Sequence, residues 1–247
     1  MFNLENKKIL ITGGNKGIGY AYADALLNQG GEVVITGRSE KDNKKALKSL
    51  EKISKKISYI NYDSDHDRFE DIFHKVGFVD TLILNHGILE FKNDESYIQK
   101  SIDTNLKSYL LISEIYANSI KNNKEQSSGN VIFTSSISST KGMSLDPVYA
   151  LGKSGIVNLS ISLAVKYGKY NIRFNCISPG WIETDLFEKL LDLSIGQKVV
   201  DNVLSRTPLQ RIGTVNDLKG IIVFLSSDES AFTTGQNFVV DGGFSIS

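Results

Sequence analysis

One cysteine, three prolines and one tryptophan occur in 247 residues. The lone thiol, Cys176, cannot form an internal disulfide, so the chain is no disulfide scaffold and reads as the product of a reducing compartment. Proline this scarce excludes collagen-like and proline-rich chains. Charge of one sign is also missing: 28 Lys+Arg balance 28 Asp+Glu, which argues against a broad nucleic-acid or membrane-binding face. No run of about 18 apolar residues occurs, so no bilayer-spanning segment is expected. The start, Met1 to Lys8, lacks the apolar stretch of a signal peptide. His66 and His74 lie on polar stretches without paired ligands, so no metal site is expected. Together these absences point to a cytoplasmic protein.

What is present is ordinary for a globular chain: 40% hydrophobic and 23% charged residues. Short apolar runs alternate with longer helical patterns. Strands are expected at Lys8–Ile11, Gly31–Thr36, Ile57–Asn61, Thr81–Leu84, Asn130–Thr134, Ile172–Ile177 and Asn237–Val240. Helices are expected at Ile18–Asn28, Lys44–Lys55, Arg68–Lys75, Tyr97–Lys121, Val148–Tyr167 and Val215–Ser226. Such alternation implies βαβ units and a parallel sheet covered on both faces. No linker divides the chain, so residues 1–247 read as one domain. Residues 181–213 break the rhythm between the sixth strand and a later helix. Insertions near strand ends usually cover a ligand crevice, so this stretch is expected to be a substrate lid. Its Phe187, Leu190 and Leu191 would make a partly apolar pocket mouth.

Two local patterns carry chemistry. The first is Thr12-Gly13-Gly14-Asn15-Lys16-Gly17-Ile18-Gly19, between the first strand and the first helix. Glycines allow positive φ and a close backbone approach, and a helix N-terminus offers free N–H groups to a pyrophosphate. A merely structural tight turn reads the same way. The second is Tyr149 and Lys153, four apart on one helix face. An ammonium beside a phenol favours the phenolate, which suits a general acid or base. Ser136, thirteen residues before Tyr149, could polarise a carbonyl oxygen. Ser135, Ser138 and Ser139 beside it make plain loop chemistry an alternative.

In combination these landmarks resemble the short-chain dehydrogenase/reductase family, and the likeness covers nearly the whole chain. The glycine turn, Asp63, Asn85-His86-Gly87, Asn105, Ser136, Tyr149 with Lys153, Pro179-Gly180 with Ile182-Glu183-Thr184-Asp185, and Val240-Asp241-Gly242-Gly243 follow in order. The resemblance implies an α/β, doubly wound Rossmann fold. Its seven-stranded parallel sheet would have the order 3-2-1-4-5-6 extended by a seventh strand, with helices on both faces. It also implies a catalytic tetrad. Tyr149 would be the general acid in reduction. Lys153 would lower its pKa and hold the nicotinamide ribose. Ser136 would bind the substrate oxygen, and Asn105 would hold a water in a proton relay.

The implied cofactor contacts are Gly13, Asn15, Lys16, Gly17, Ile18, Gly19, Arg38, Ser39, Asp63, Ser64, Asn85, Gly87, Tyr149, Lys153, Pro179, Gly180, Ile182 and Thr184. Relatives that bind NAD usually carry an acid where Gly37 stands. Arg38 can instead pair with a phosphate, and Lys16 matches a second basic position, so NADP(H) is expected.

The expected function is an NADPH-dependent carbonyl reductase, reversible as an alcohol dehydrogenase. It would act on a small-molecule ketone or alcohol as a homotetramer or dimer, without nucleic acid or membrane partners. Ile156, Leu159, Leu163 and Val165 illustrate the apolar surplus expected at an interface between subunits. The 3-oxoacyl-carrier-protein reductase branch is an alternative, echoed by Thr207–Gly213 and Phe224–Asp228. There, however, Ser127 and Tyr170 stand where basic residues dock the carrier protein, with Lys169 as a nearby substitute. A non-catalytic NADP-binding regulatory protein is the remaining alternative. His86 replaces a small residue and reads either as a pH-responsive group or as a packed, hydrogen-bonded histidine. Cys176 is expected to be a buried small hydrophobe. Trp181 would wall the pocket or anchor the lid.

Overall fold

The computed structural model describes residues 2–63, 67–92, 94–123, 128–192 and 196–247, without the side chains of 189 and 190. Ser64, His66, Ser127 and the Leu190 side chain, all singled out above, lie outside the described residues.

Seven strands form one sheet: β1 (Lys8–Thr12), β2 (Glu32–Gly37), β3 (Ile57–Asn61), β4 (Thr81–Leu84), β5 (Gly129–Thr134), β6 (Ile172–Pro179) and β7 (Asn237–Val240). Their order is β3-β2-β1-β4-β5-β6-β7, and every pairing is parallel. The expected topology is therefore the observed one. Ile9 pairs with Val33 on one side and Thr81 on the other, which places the reversal of strand order between β1 and β4. A ligand crevice opens at such a switch point, outside the carboxyl ends of the strands.

Side chains alternate across the strands, so each β-rich run supplies both faces at once. Leu10, Leu82, Leu84, Val131 and Phe133 pack toward Tyr109, Tyr116, Ile156 and Leu163. Ile9, Ile11, Ile83 and Ile132 pack toward Leu26, Leu50, Ile222 and Leu225 on the other side. Helices α3 (Phe69–Val76), α5 (Ser108–Asn122) and α6 (Pro147–Tyr167) cover the first face. Helices α1 (Gly17–Asn28), α2 (Glu40–Leu50) and α9 (Lys219–Ser226) cover the second.

Three helices differ from expectation. Helix α2 starts at Glu40 rather than Lys44, because the Ser39 hydroxyl oxygen accepts from Asp42 N at 3.2 Å and caps it; it ends with buried Leu50. The long helix expected from Tyr97 to Lys121 is α4 (Glu95–Ile102) and α5, joined by a π turn at Asp103–Lys107. The last helix opens with a 3-10 turn, Val215–Leu218, capped reciprocally by Thr214 and Asp217.

Helix α6 is apolar on nearly every side. Pro147–Tyr170 is long and apolar enough to cross a membrane by length and composition alone. It packs on β6 and buries Lys153, Ile156, Ser160 and Leu163, which marks it as a core helix. Of the residues taken to illustrate an interface, Ile156 and Leu163 therefore belong to the core, and Leu159 packs partly against it. Val165 does stand exposed, at 82%, with Leu151, Ile161, Leu110 and Leu111.

Between β6 and α9 lie α7 (Asp185–Leu191) and α8 (Gly196–Arg206). The ends of this excursion are stitched together by a parallel bridge between Ile182 and Gly213. Gly213 N donates to Trp181 O at 2.8 Å and Glu183 N to Gly213 O at 2.9 Å.

Candidate active site

The carboxyl ends of β1, β2, β4, β5 and β6 open into one cleft of about 930 Å³. At β1 the chain turns through Gly13 (φ +65°) and Gly17 (φ +53°), left-handed conformations that favour glycine. Gly19 is confined differently: a Cβ there would lie 2.2 Å from Gly13 O. Helix α1 begins at once, and its N-cap residue, Lys16, makes no side-chain capping bond. No acidic side chain occupies the first turn. The leading N–H groups are thus left for a ligand at the positive end of the helix.

The end of β2 explains the missing acid at position 37. Gly37 sits under a run of amides: Asn15 Nδ2 donates to Asn43 Oδ1, and Asn43 Nδ2 donates to Gly37 O and Asn61 Oδ1, each at 2.8 Å. A Cβ on Gly37 would stand 2.2 Å from Asn15 Nδ2 and 2.5 Å from Asn43 Oδ1. A carboxylate there would have to displace the ends of the Asn15 and Asn43 side chains. Arg38, next along, is exposed and lines the cleft beside Ser39 and Lys16. Lys16 reaches across to Asp185 of α7 at 3.6 Å.

Ser136 follows β5, and Tyr149 and Lys153 rise from α6. The helix starts cleanly because Pro147 takes its first turn and buried Asp146 accepts from Tyr149 N at 2.9 Å. Tyr97 on α4 donates its hydroxyl to the same carboxylate. The Lys153 ammonium donates to Thr134 O at 2.8 Å, while Ser135 Oγ donates to Lys153 O at 2.8 Å, so the end of β5 grips this residue twice.

Burial decides the electrostatics. It lowers Lys153 from 10.5 to about 8. It raises Tyr149 from 10.0 to about 12, against the pull of a hydrogen bond with Ser136. The expected lowering of the phenol by its ammonium neighbour is not what this arrangement produces. Lys153 Nζ lies 5.6 Å from the Tyr149 ring centroid, and burial of the phenol is the dominant influence on it.

Asn105 lies on the π turn, just behind the cleft wall. Its Oδ1 accepts from Ile88 N and its Nδ2 donates to Ile88 O, each at 2.9 Å. Gly87 is wedged in front: a Cβ there would meet Asn105 Oδ1 at 2.9 Å and Lys153 Nζ at 3.6 Å.

His86 resolves as the packed histidine. Nδ1 lies 2.7 Å from Thr12 Oγ1, and Nε2 lies 2.8 Å from Ser108 Oγ. Ser108 spends its own proton on Thr104 O at 2.7 Å, so Nε2 donates and Nδ1 accepts. Burial, then the charge of Lys153, push the imidazole down to about 3, so it stays neutral. Cys176 is equally inert: burial raises its thiol to about 12. Among the described residues no group of three or more His, Cys, Asp or Glu could hold a metal ion.

Most residues singled out from sequence line this one cleft, including Gly13, Asn15 to Ile18, Arg38, Ser39, Asn85, Gly87, Ser136, Tyr149, Lys153, Pro179, Gly180, Ile182 and Thr184. Gly19 and Asn105 support it from behind. Asp63 is not on its wall; Tyr62 is. Trp181 lines the cleft and makes T-shaped contacts with Phe187 and Phe244, so it serves both readings offered for it. The terminal Asp241 is structural: its carboxylate accepts from Gly243 N and Ser245 N. Sequence reasoning missed Phe91, Lys141, Met143, Asn202, Arg206 and Phe244 on the substrate side. Of these, only Phe91 has an unusual backbone, with φ +55°.

Residues 13–245 match the family model described as enoyl-(acyl carrier protein) reductase. The chain is 34% identical over 250 residues to the 3-oxoacyl-(acyl-carrier-protein) reductase FabG of Chlamydia pneumoniae, covering 97% of each. It superposes on an Agrobacterium tumefaciens protein solved with bound NADP at a TM-score of 0.90 and 32% identity, covering 100% of this chain and 99% of that one. The chain is a short-chain dehydrogenase/reductase. A gluconate 5-dehydrogenase from Burkholderia cenocepacia, in complex with NADP and tartrate, matches at a TM-score of 0.90 and 25% identity over 100% of this chain and 98% of that one. Short-chain dehydrogenase/reductases are oxidoreductases. The relatives' own substrates range from acyl thioesters to sugar acids, so family membership does not choose among them.

Proposed function

We propose that the protein is an NADPH-dependent carbonyl reductase, reversible as an alcohol dehydrogenase, with Tyr149 as the proton donor. The supporting observation is that Ser136, Tyr149 and Lys153 share one cleft with the uncapped N-terminus of α1. NADP(H), when bound, supplies or accepts the hydride. The glycine turn and the first N–H groups of α1, with Asn15 and Ile18, take the pyrophosphate. Arg38, Lys16 and Ser39 take the 2′-phosphate. Asp63 and Ser64 serve the adenine, and Asn85 and Gly87 its ribose. Lys153 and Tyr149 hold the nicotinamide ribose, with Pro179, Gly180, Ile182 and Thr184 at the carboxamide.

Ser136 donates to the substrate oxygen. Tyr149, kept protonated by burial, passes its proton to that oxygen as charge develops there. The Lys153 ammonium then stabilises the phenolate left behind. Asn105, fixed by Ile88, holds the water through which Tyr149 is reloaded. We further infer one domain over 1–247, a substrate lid at 181–213, a cytoplasmic setting, and a homotetramer or dimer joined through exposed Leu110, Leu111, Leu151, Ile161 and Val165.

A second reading, 3-oxoacyl-carrier-protein reductase, draws on one surface feature. Lys121 and Lys169 lie 5.4 and 5.2 Å from the Tyr170 ring centroid. They make a small basic patch where the family docks its acidic carrier.

The test is NADPH oxidation across 3-oxoacyl thioesters, cyclic ketones and keto-sugars, repeated with Tyr149→Phe. Turnover by the parent, with loss of turnover but retained NADPH affinity in the variant, is expected. Unchanged turnover in Tyr149→Phe would mean that the proton comes from elsewhere.

A further inference from the structure

Helix α4 does not reach the cleft, yet it is bonded to two of the proton-transfer groups, Asn105 and Tyr149. Asp94 starts the helix by accepting from Tyr97 N at 3.0 Å. Tyr97, Ser101 and Asn105 then follow at intervals of four, the spacing of neighbours on a helix face. Their side chains form one run of hydrogen bonds. Asn105 Nδ2 donates to Ser101 Oγ at 3.0 Å, and Ser101 hydrogen-bonds the Tyr97 hydroxyl. Tyr97 donates its own proton to Oδ2 of Asp146, whose Oδ1 accepts from Tyr149 N at 2.9 Å. A second donor, Glu90 N, reaches the Tyr97 hydroxyl at 3.2 Å.

Every proton in this run points the same way. Asn105 Nδ2 can only donate, so Ser101 accepts there and gives its proton to Tyr97, and Tyr97 gives its proton to the carboxylate. Hydrogen bonds ordered head to tail polarise one another in a dry interior. Tyr97, Ser101, Asn105 and Asp146 are each 2% exposed or less, so water does not enter the run. Capping α6 does not require it. A serine or an asparagine starts a helix as well as an aspartate does, without burying a charge. Asp146 is wholly buried, and its second oxygen is committed to Tyr97 rather than to the helix. Its charge acts with burial to keep Tyr149 protonated. Tyr97, Ser101 and Asp146 do not line the cleft, so any effect they have on the reaction passes through other groups.

We propose that Tyr97 and Ser101 are positioning residues for the reaction: they lock the Asp146 carboxylate to Asn105 and so hold Tyr149 and Asn105 in one fixed register. The inference rests on the carbonyl-reductase reading. A displacement of about 1 Å in a reacting group can cost about 100-fold in rate. Tyr97→Phe removes only the linking hydroxyl, so it slows the proton-transfer step and leaves the binding surfaces as they are.

The experiment is a double-variant cycle on the full chain with NADPH and the carbonyl that the parent reduces fastest. Tyr97→Phe, Asp146→Ser and their combination are compared for kcat, KM, NADPH affinity and Tm. Asp146→Ser keeps a cap for Tyr149 N and drops the oxygen that Tyr97 uses. Each single variant is expected to lower kcat by about 10- to 100-fold. KM and NADPH affinity are expected to stay within about twofold of the parent, the pattern of a lost transition-state interaction. The double variant is expected to be no slower than the slower single one, because both break the same link. A Tyr97→Phe variant with parental kcat overturns the proposal, even if its Tm falls, since that is the result of a purely structural bond. So does parental kcat in Asp146→Ser, which would show that the cap alone suffices. So do losses that multiply in the double variant.

Should Asp146→Ser fail to fold, the same cycle is run with Ser101→Ala, and losses that multiply there also overturn the proposal. Tyr149→Phe, assayed alongside, separates the two levels of the argument. A parent that reduces no carbonyl, or a Tyr149→Phe variant as active as the parent, sinks the reductase reading. A parent that needs Tyr149 but is indifferent to Tyr97→Phe sinks the positioning role alone.

Discussion

Lys153 offers the sharpest test of how this site is built, because its burial sets stability against chemistry. The residue is 3% exposed, and its ammonium is bonded to Thr134 O. Lowering its pKa from 10.5 to about 8 means that holding the charge inside costs about 3 kcal/mol, at about 1.4 kcal/mol per pH unit. Lys153→Met removes that cost and forfeits the bond to Thr134 O, worth about 1–3 kcal/mol when an acceptor is left unpaired. The net gain at pH 6.5 is about 0–2 kcal/mol, or up to about 8 °C in Tm for a chain of this size.

The pH dependence has a definite sign. Below pH 8 the lysine is charged in both folded and unfolded chains, and the full cost applies. Between pH 8 and 10.5 the folded protein sheds the proton while the unfolded chain keeps it, so parental stability rises with pH. The advantage of Lys153→Met should therefore shrink across that window and reverse near pH 10.5. Thermal unfolding of the nucleotide-free proteins at pH 6.5 and pH 10 measures it. A variant less stable at pH 6.5, or a Tm gap that ignores pH, would refute the reasoning. In the same variant, carbonyl reduction is expected to fall at least 100-fold.

Three further outcomes follow from the geometry. Initial rates of carbonyl reduction should decline above about pH 8 as Lys153 loses its charge, with Tyr149 still protonated up to about 12; a plateau through pH 10 would mean that the ammonium is not needed. Arg38→Ser should cut the preference for NADPH over NADH by about 10- to 100-fold in fluorescence titrations, because a charge-assisted phosphate contact is lost. Gly19→Ala should weaken binding of both nucleotides and lower Tm, since its methyl would sit 2.2 Å from Gly13 O; unchanged nucleotide affinity would show that the turn tolerates the displacement.

The sheet was legible because runs such as Leu82-Ile83-Leu84 are buried on both faces and admit no other use. The cleft was legible because its glycines and its Tyr149–Lys153 pair keep familiar spacings. Other features leave no trace in a side-chain pattern. The π turn at Asp103–Lys107 adds a residue to a helical turn without changing the apolar period that announces a helix. Ile156 and Leu163 were assigned to an interface because α6 is apolar all round, and periodicity cannot then tell core from surface. The start of α2 depended on Ser39 acting as a cap, a role that only its geometry with Asp42 N reveals. Lys141 and Arg206 lie 65 residues apart and meet only at the Ser247 oxygen, a juxtaposition no sequence spacing announces.

The hydrogen bonds also divide the molecule by role. Lys153 is held by Thr134 and Ser135 at the end of β5, Tyr149 by the Asp146 cap, and Asn105 by Ile88 and Ser101. None of these supports comes from residues 181–213. That excursion is instead closed on itself at the Ile182–Gly213 bridge, where a Cβ on Gly213 would meet Ile182 Cδ1 at 2.6 Å. Tyr149, Lys153 and Asn105 are thus mounted on the strand ends and their helices, while Trp181, Phe187, Asn202 and Arg206 reach the cleft from a segment tied separately to Gly242, Ser247 and Asp217. Because the two sets share no described hydrogen bond, 181–213 can change its side chains without disturbing Tyr149 or Lys153. Relatives of similar fold that act on thioesters and on sugar acids are what such a division would produce.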